Sequence, residues 1–138
     1  MSRYLLDANI ISDLIRHPAG AVTATIRRAG EDAICTSIVV AAELRYGARK
    51  KGSDQLSERV EALLSRIPVL PLEGPADDFY GQIRKSLERS GALIGANNML
   101  IAAHALTLDA TLVTDNEREF RRVDGLKMEN WLRVSDVN

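Results

Sequence analysis

Short strand-like runs alternate with longer stripes of helical period along this chain, and that alternation limits its fold more than any other feature. Tyr4–Leu6 reads as a first strand that stops at Asp7. Ile10, Ile11, Leu14 and Ile15 follow at helical spacing until His17-Pro18 ends the helix. Val22 and Ile26 mark a second short helix, and residues 33–36 a second strand, with Ser37 placed to cap the helix that carries Glu43, Leu44, Tyr46 and Gly47. Leu56, Val60, Leu63, Leu64 and Ile67 form a further helical stripe. The proline-bounded Val69–Leu70 run suits a strand at a sheet edge. Ala76, Phe79, Tyr80, Ile83 and Leu87 make another stripe, with Gly91 just past its end. Asn97 is placed to cap a helix through Leu100, Ile101, His104, Ala105 and Leu108. Residues 111–114 read as a strand ending at Asp115, Glu119 and Phe120 as a turn or short helix, and residues 126–128 as a last strand. Strands separated by helices pair in parallel, so the expected fold is α/β: a mainly parallel central sheet flanked by helices in three layers, α/β/α. The 138 residues suffice for one domain, expected over 1–132 with a C-terminal tail at 133–138.

The acids fall where such a fold gathers chemistry. Asp7 ends the first strand, Glu43 lies about two turns into the helix after the second, and Asp115 ends a late strand, with Glu119 four residues on. Ligands of an open parallel sheet bind outside the carboxyl ends of its strands. Carboxylates crowded there repel one another, and a divalent cation relieves the repulsion. Mg²⁺ prefers hard oxygen ligands, can activate a water and can clamp a phosphodiester oxygen, which makes phosphodiester hydrolysis the chemistry these acids support. An acid after a strand also serves as a helix cap or a solvated charge, a bland role open to Asp7 and Asp115 alike. For Glu43, in the apolar setting of Val39, Val40, Ala41, Ala42 and Leu44, the bland role is an ion pair with Arg45 or Arg84.

Four segments in order resemble the PIN-domain family. They are Tyr4-Leu5-Leu6-Asp7-Ala8-Asn9, the stretch 37–47 with Glu43-Leu44-Arg45-Tyr46-Gly47, the stretch 94–105 with Asn97-Asn98, and Leu112-Val113-Thr114-Asp115-Asn116-Glu117-Arg118-Glu119-Phe120. The closing stretch 123–131, ending in Asn130-Trp131, is similar to that of the family's VapC toxins. The resemblance implies a metal-dependent endoribonuclease using Mg²⁺, with Mn²⁺ able to substitute. It implies an RNA substrate, tRNA in some members, and a homodimer silenced by a VapB-type antitoxin that binds operator DNA as a complex. It assigns Asp7, Glu43 and position 98 to the catalytic metal site. A fourth ligand comes from the segment holding Asp115, Asn116 and Glu119, with Asp115 taken as catalytic and Glu119 as a further metal ligand.

Two positions depart from the family pattern. Ala8 stands where many members carry Thr, which removes one hydroxyl. Asn98 stands where the family carries Asp, so the site loses one formal charge while the side-chain shape is kept. The expectation is a weakened or inactive nuclease, and the alternative is a binding module that holds the antitoxin and supports operator autoregulation. Natural divergence and deliberate replacement both fit Asn98; the intact motif around it favours replacement. A phospho-acceptor receiver domain fits poorly, because Asp7 stands between Leu6 and Ala8 without a second acid and the Val69–Leu70 strand has none.

The remaining signals are quieter. The net charge of −1 argues against a protein that coats nucleic acid by charge alone. Arg27-Arg28, Arg49-Lys50-Lys51, Arg84-Lys85 and Arg121-Arg122 offer a local basic rim, or simply solvated faces. Cys35, the sole cysteine, reads as a buried apolar residue, His104 as a satisfied helix histidine, His17 as a loop residue, and Trp131 as packing on the sheet or a base-stacking ring. No basic stretch leading into an apolar run and cleavage site opens the chain, and no apolar run nears the ~20 residues that span a bilayer, so a cytoplasmic protein with no membrane partner is expected.

Overall fold

A computed structural model describes residues 3–132, so the 133–138 tail lies outside the described residues. Its elements run β1 (Tyr4–Leu6), α1 (Ala8–Arg16), α2 (Ala21–Ala29), a 3₁₀ turn (Glu31–Ala33), β2 (Ile34–Ser37), α3 (Ile38–Lys51), α4 (Asp54–Leu64), β3 (Val69–Leu70), α5 (Ala76–Arg89), α6 (Ala96–Leu108), β4 (Thr111–Val113), α7 (Glu117–Phe120) and β5 (Met128–Glu129). The five strands form one sheet in the order β3-β2-β1-β4-β5 and every pairing is parallel, with helices on both faces. The three-layer α/β/α arrangement read from the sequence is the one observed, and Val69–Leu70 does lie at an edge.

The boundaries differ from the sequence reading where strands meet turns. Residue 33 belongs to the 3₁₀ turn, so the second strand is Ile34–Ser37, and the last strand begins only at Met128. Asn97 is not the cap of α6: Gly95 holds that position in extended backbone, and Asn97 lies inside the first turn. Other signals act as expected. Ser37 accepts a hydrogen bond from the Val39 N–H at 3.0 Å and starts α3. Past α5, Gly91 takes φ +66°, its N–H bonds to the Glu88 carbonyl, and the Ala92 N–H bonds to that of Leu87, a helix stop that needs a left-handed residue.

The sheet order decides where a site can form. The chain leaves β1 toward β2 and β3 on one side, then returns to β4 on the other, so the connections diverge between β1 and β4. The crevice opens at such a divergence, outside the carboxyl ends of the strands. The walls are rigid because the core beneath is fully packed: Leu5, Leu6, Ile10, Ile11, Leu112 and Val113 are all at 0% exposure. Helix α6 is apolar nearly all round, and its Ala102, Ala103 and Ala105 are likewise buried.

Candidate active site

Register brings the first partners together. Leu6 pairs with Val113 across β1 and β4, so the next residues, Asp7 and Thr114, emerge side by side. The Asp7 N–H bonds to the Val113 carbonyl at 2.9 Å, and the Thr114 hydroxyl donates to Asp7 Oδ2 at 2.7 Å. Asp7 Oδ1 accepts from the Ala8 N–H at 2.8 Å, making Asp7 the cap of α1 as well. The bland role and the functional one therefore coexist, since each oxygen keeps a lone pair after these bonds. Asp7 is 5% exposed, and burial pushes its carboxyl above the usual value despite both hydrogen bonds.

Glu43 reaches the same rim from α3. Its carboxyl is also raised, first by burial and then by the nearby charge of Asp7. Neither expected ion-pair partner is there: Arg45 binds Glu61 across to α4 through two bonds of 2.8 and 3.0 Å, and Arg84 binds Glu88 and Tyr80. Glu43 instead meets the Asn97 amide, which donates to Oε2 at 3.4 Å. Among the described residues no Lys, Arg or His forms an ion pair with Asp7 or Glu43.

The second half of the rim is built on α6 and α7. Asn98 Nδ2 donates to Glu119 Oε1 at 3.0 Å, and the Gly95 N–H donates to the same oxygen at 3.2 Å. These bonds hold the Glu119 carboxyl below its usual range, with smaller help from Asn116 and Arg122. Asp115 directly follows Thr114, the residue that bonds Asp7. It is exposed, its Oδ1 accepts from Asn130 at 2.9 Å, and its backbone N–H bonds to Asn9 Oδ1 at 3.1 Å. Helix α7 begins only at Glu117, so Asp115 and Glu119 share no helical face despite their four-residue spacing.

The structure thus couples Asp7 with Glu43 and Asn98 with Glu119, while no three acidic, histidine or cysteine side chains among the described residues make up a metal-binding group. Asp7 and Glu43 still offer the hard oxygens a divalent cation prefers: burial raises both carboxyls, the charge of Asp7 raises Glu43 further, and among the described residues neither has an ion-pair partner.

Sequence reasoning assigned Thr114, Asn97, Asn9, Asn130 and Gly95 no part in this rim. Thr114 had a signal, a hydroxyl at the end of a buried strand beside an acid. It also accepts from the Asn116 N–H at 3.0 Å, so it ties β4, Asp7 and the turn into α7. Thr114→Val is expected to cost about 1–3 kcal/mol, read by urea unfolding, because it strands a buried carboxylate oxygen and a backbone N–H. A loss under a few tenths would show that water replaces the hydroxyl.

Three side chains open to other chemistry are engaged elsewhere. His104 is buried, with Nδ1 2.8 Å from Ser37 Oγ and a hydrogen bond to the Pro71 backbone. Proline offers only a carbonyl there, so the ring donates to Pro71 and Nδ1 of the neutral ring accepts from Ser37. Burial keeps its pKa low, and His104 is a satisfied bridge. Burial pushes the Cys35 thiol up to about 11, an inert sulfur. Trp131 packs on Tyr4 with ring centroids 5.2 Å apart, and its Nε1 donates to Glu129.

The raised carboxyls make a pH-dependent cost. A carboxyl whose folded pKa exceeds its unfolded one destabilises the fold when ionised. That cost is complete above the folded value, declines as pH falls through it, and is gone below the ordinary values of 3.8 for Asp7 and 4.5 for Glu43. Asp7→Asn keeps a capping oxygen and removes the charge. Without divalent cations it is expected to melt above the unmutated protein at pH 7 to 8, with the gap closing toward pH 4. A gap that widened on acidification would reverse the sign.

The comparisons with known proteins agree with this architecture. Residues 4–126 match the family described as PIN domain, and the chain belongs to the PIN-domain family. Its relatives there are VapC ribonucleases. It is 38% identical over 130 residues to Ribonuclease VapC2 of Rickettsia felis, covering 93% of this chain and 97% of that one. It is 37% identical over 135 residues to the tRNA(fMet)-specific endonuclease VapC of Shigella flexneri, covering 95% and 99%. The solved VapBC2 complex from Rickettsia felis, bound to a DNA fragment from its promoter, superposes with a TM-score of 0.86 at 35% identity over 93% of this chain and 98% of that one.

Proposed function

We propose that this chain is the toxin of a VapBC-type toxin–antitoxin pair, a Mg²⁺- or Mn²⁺-dependent endoribonuclease whose cleavage is curtailed by Asn98. The observation that carries the reading is the Asp7–Glu43 pair, two carboxyls raised by burial, that of Glu43 also by the charge of Asp7, with no ion-pair partner for either among the described residues. A divalent cation held by Asp7 and Glu43, with Asn98 and Glu119 adjoining, would neutralise the scissile phosphate and lower the pKa of an attacking water. The protein's part is orientation. Thr114 and the Ala8 N–H fix Asp7, Asn97 steadies Glu43, and the buried strands beneath keep the rim from yielding. Asn98 works against this, since its amide N–H holds Glu119 and its charge is absent.

The Shigella flexneri relative is named for cutting tRNA(fMet), which makes tRNA the first substrate to try. The Rickettsia felis relative is solved as a VapBC complex on promoter DNA, which supports a VapB-type antitoxin partner, operator binding through that complex and action in the cytoplasm. A homodimer is part of the same reading. No helix among the described residues is long and apolar enough to cross a membrane. The Asn98–Glu119 bond favours a second role, an antitoxin-holding module without cleavage.

A labelled tRNA pool incubated with this chain and with Asn98→Asp, each in Mg²⁺ and in EDTA, tests the proposal. Cleavage by the Asn98→Asp form only in Mg²⁺ is expected. Absence of cleavage by both forms on tRNA and on total RNA would leave the antitoxin-holding module as the better account.

A further inference from the structure

The acidic rim has one neighbour that its chemistry leaves unexplained. Helix α3 buries Val40, Ala41, Leu44 and Ala48. At 100° per residue its opposite face carries Ile38, Ala42, Tyr46, Arg49 and Lys50, all exposed, and Glu43 stands at the edge of that face. Tyr46 is 65% exposed, and it lies three residues past Glu43, close enough on a helix for the side chains to be neighbours. The other described aromatics are each at least partly buried, and Tyr4, Tyr80 and Trp131 also have ring or hydrogen-bond partners. Tyr46 has neither among the described residues.

From this juxtaposition we infer that Tyr46 is a stacking platform for an unpaired base of the RNA strand whose phosphate lies at Asp7 and Glu43. The inference rests on the ribonuclease reading above. A Tyr face binds any base by stacking without demanding a sequence. Arg49 and Lys50, in the last turns of α3, sit where they can meet the phosphates flanking that base. The acids repel a phosphodiester until a cation is bound, so a platform beside them would hold the strand while the basic turn offsets its charge. Ile38 and Ala42 continue the apolar strip and would border the same base. A second copy of this chain could cover an apolar strip too; the RNA backbone is favoured because it supplies the charge complementary to Arg49 and Lys50 on the same face.

The test uses this chain with Asn98 in place, a fluorescein-labelled single-stranded RNA, Mg²⁺ and anisotropy as the readout. Tyr46→Ala, a change at an exposed position, is expected to weaken binding about tenfold or more. The difference should vanish for a ribose-phosphate strand lacking bases. Tyr46→Trp should bind at least as tightly, and the fluorescence of the introduced indole should quench when RNA is added. Equal affinity of Tyr46→Ala and the unmutated chain would overturn the inference, as would indole emission from the Tyr46→Trp variant that RNA leaves unchanged. So would a shift of Tyr46→Ala to smaller mass in sedimentation with RNA affinity kept, which would assign the face to a second copy. If the Asn98→Asp form cuts RNA and adding Tyr46→Ala leaves KM unchanged, only the platform fails. If no form binds RNA, the ribonuclease reading fails with it.

Discussion

Replacing Asn98 by aspartate is expected to raise Mg²⁺-dependent RNA cleavage by at least about a hundredfold, since even changes in the shell behind a metal's ligands shift activity roughly 10- to 100-fold. Two effects add. The site gains a formal charge beside Asp7 and Glu43, and Glu119 loses the amide donor that now holds it at 3.0 Å. The same change carries a stability cost of opposite sign. Without a cation, the Asn98–Glu119 hydrogen bond becomes two facing carboxylates, and the melting temperature should fall. Added Mg²⁺ should restore it, because an ion that binds the folded state alone stabilises by mass action. A variant that gained activity without becoming dependent on Mg²⁺ for stability would show that position 98 acts on the substrate instead of the ion.

On that background, Asp7→Asn is expected to reduce cleavage to the level of the EDTA control. Aspartate and asparagine cap helices about equally well, so α1 should start where it does now. What is lost is the charge at the divergence of β1 and β4, beside Glu43, whose carboxyl that charge raises. Asp7→Ala removes the cap too and confounds folding with chemistry, which makes the amide the cleaner variant. Retained cleavage by Asp7→Asn in a protein that melts normally would remove Asp7 from the site.

Much of this was legible in the residue pattern, for identifiable reasons. Strand runs and helical stripes have distinct periods, so the alternation that sets the α/β fold survives in one sequence. Asp7 was legible because the strand before it is a continuous apolar run, and the register of β1 against β4 then fixed its partner. Glu43 stood out as an acid in an apolar helix. The contacts between segments were not legible. Asn97 looked like a cap because amides cap helices, yet the chain enters α6 at Gly95, and the amide two residues on reaches 54 residues back to Glu43. Asp115 and Glu119 looked equivalent by spacing; the turn before α7 sends one toward Asn130 and the other toward Asn98. Such choices depend on backbone torsions in a few turn residues, which composition and period do not encode.

The most direct measurement is a calorimetric titration of Mn²⁺ into the unmutated chain, Asn98→Asp and the Asn98→Asp/Asp7→Asn double variant at neutral pH. Weak binding is expected for the unmutated chain, binding about tenfold tighter or more for Asn98→Asp, and loss of that gain in the double variant. Equal affinity across all three would contradict this, because Asp7 and position 98 would then hold no cation between them.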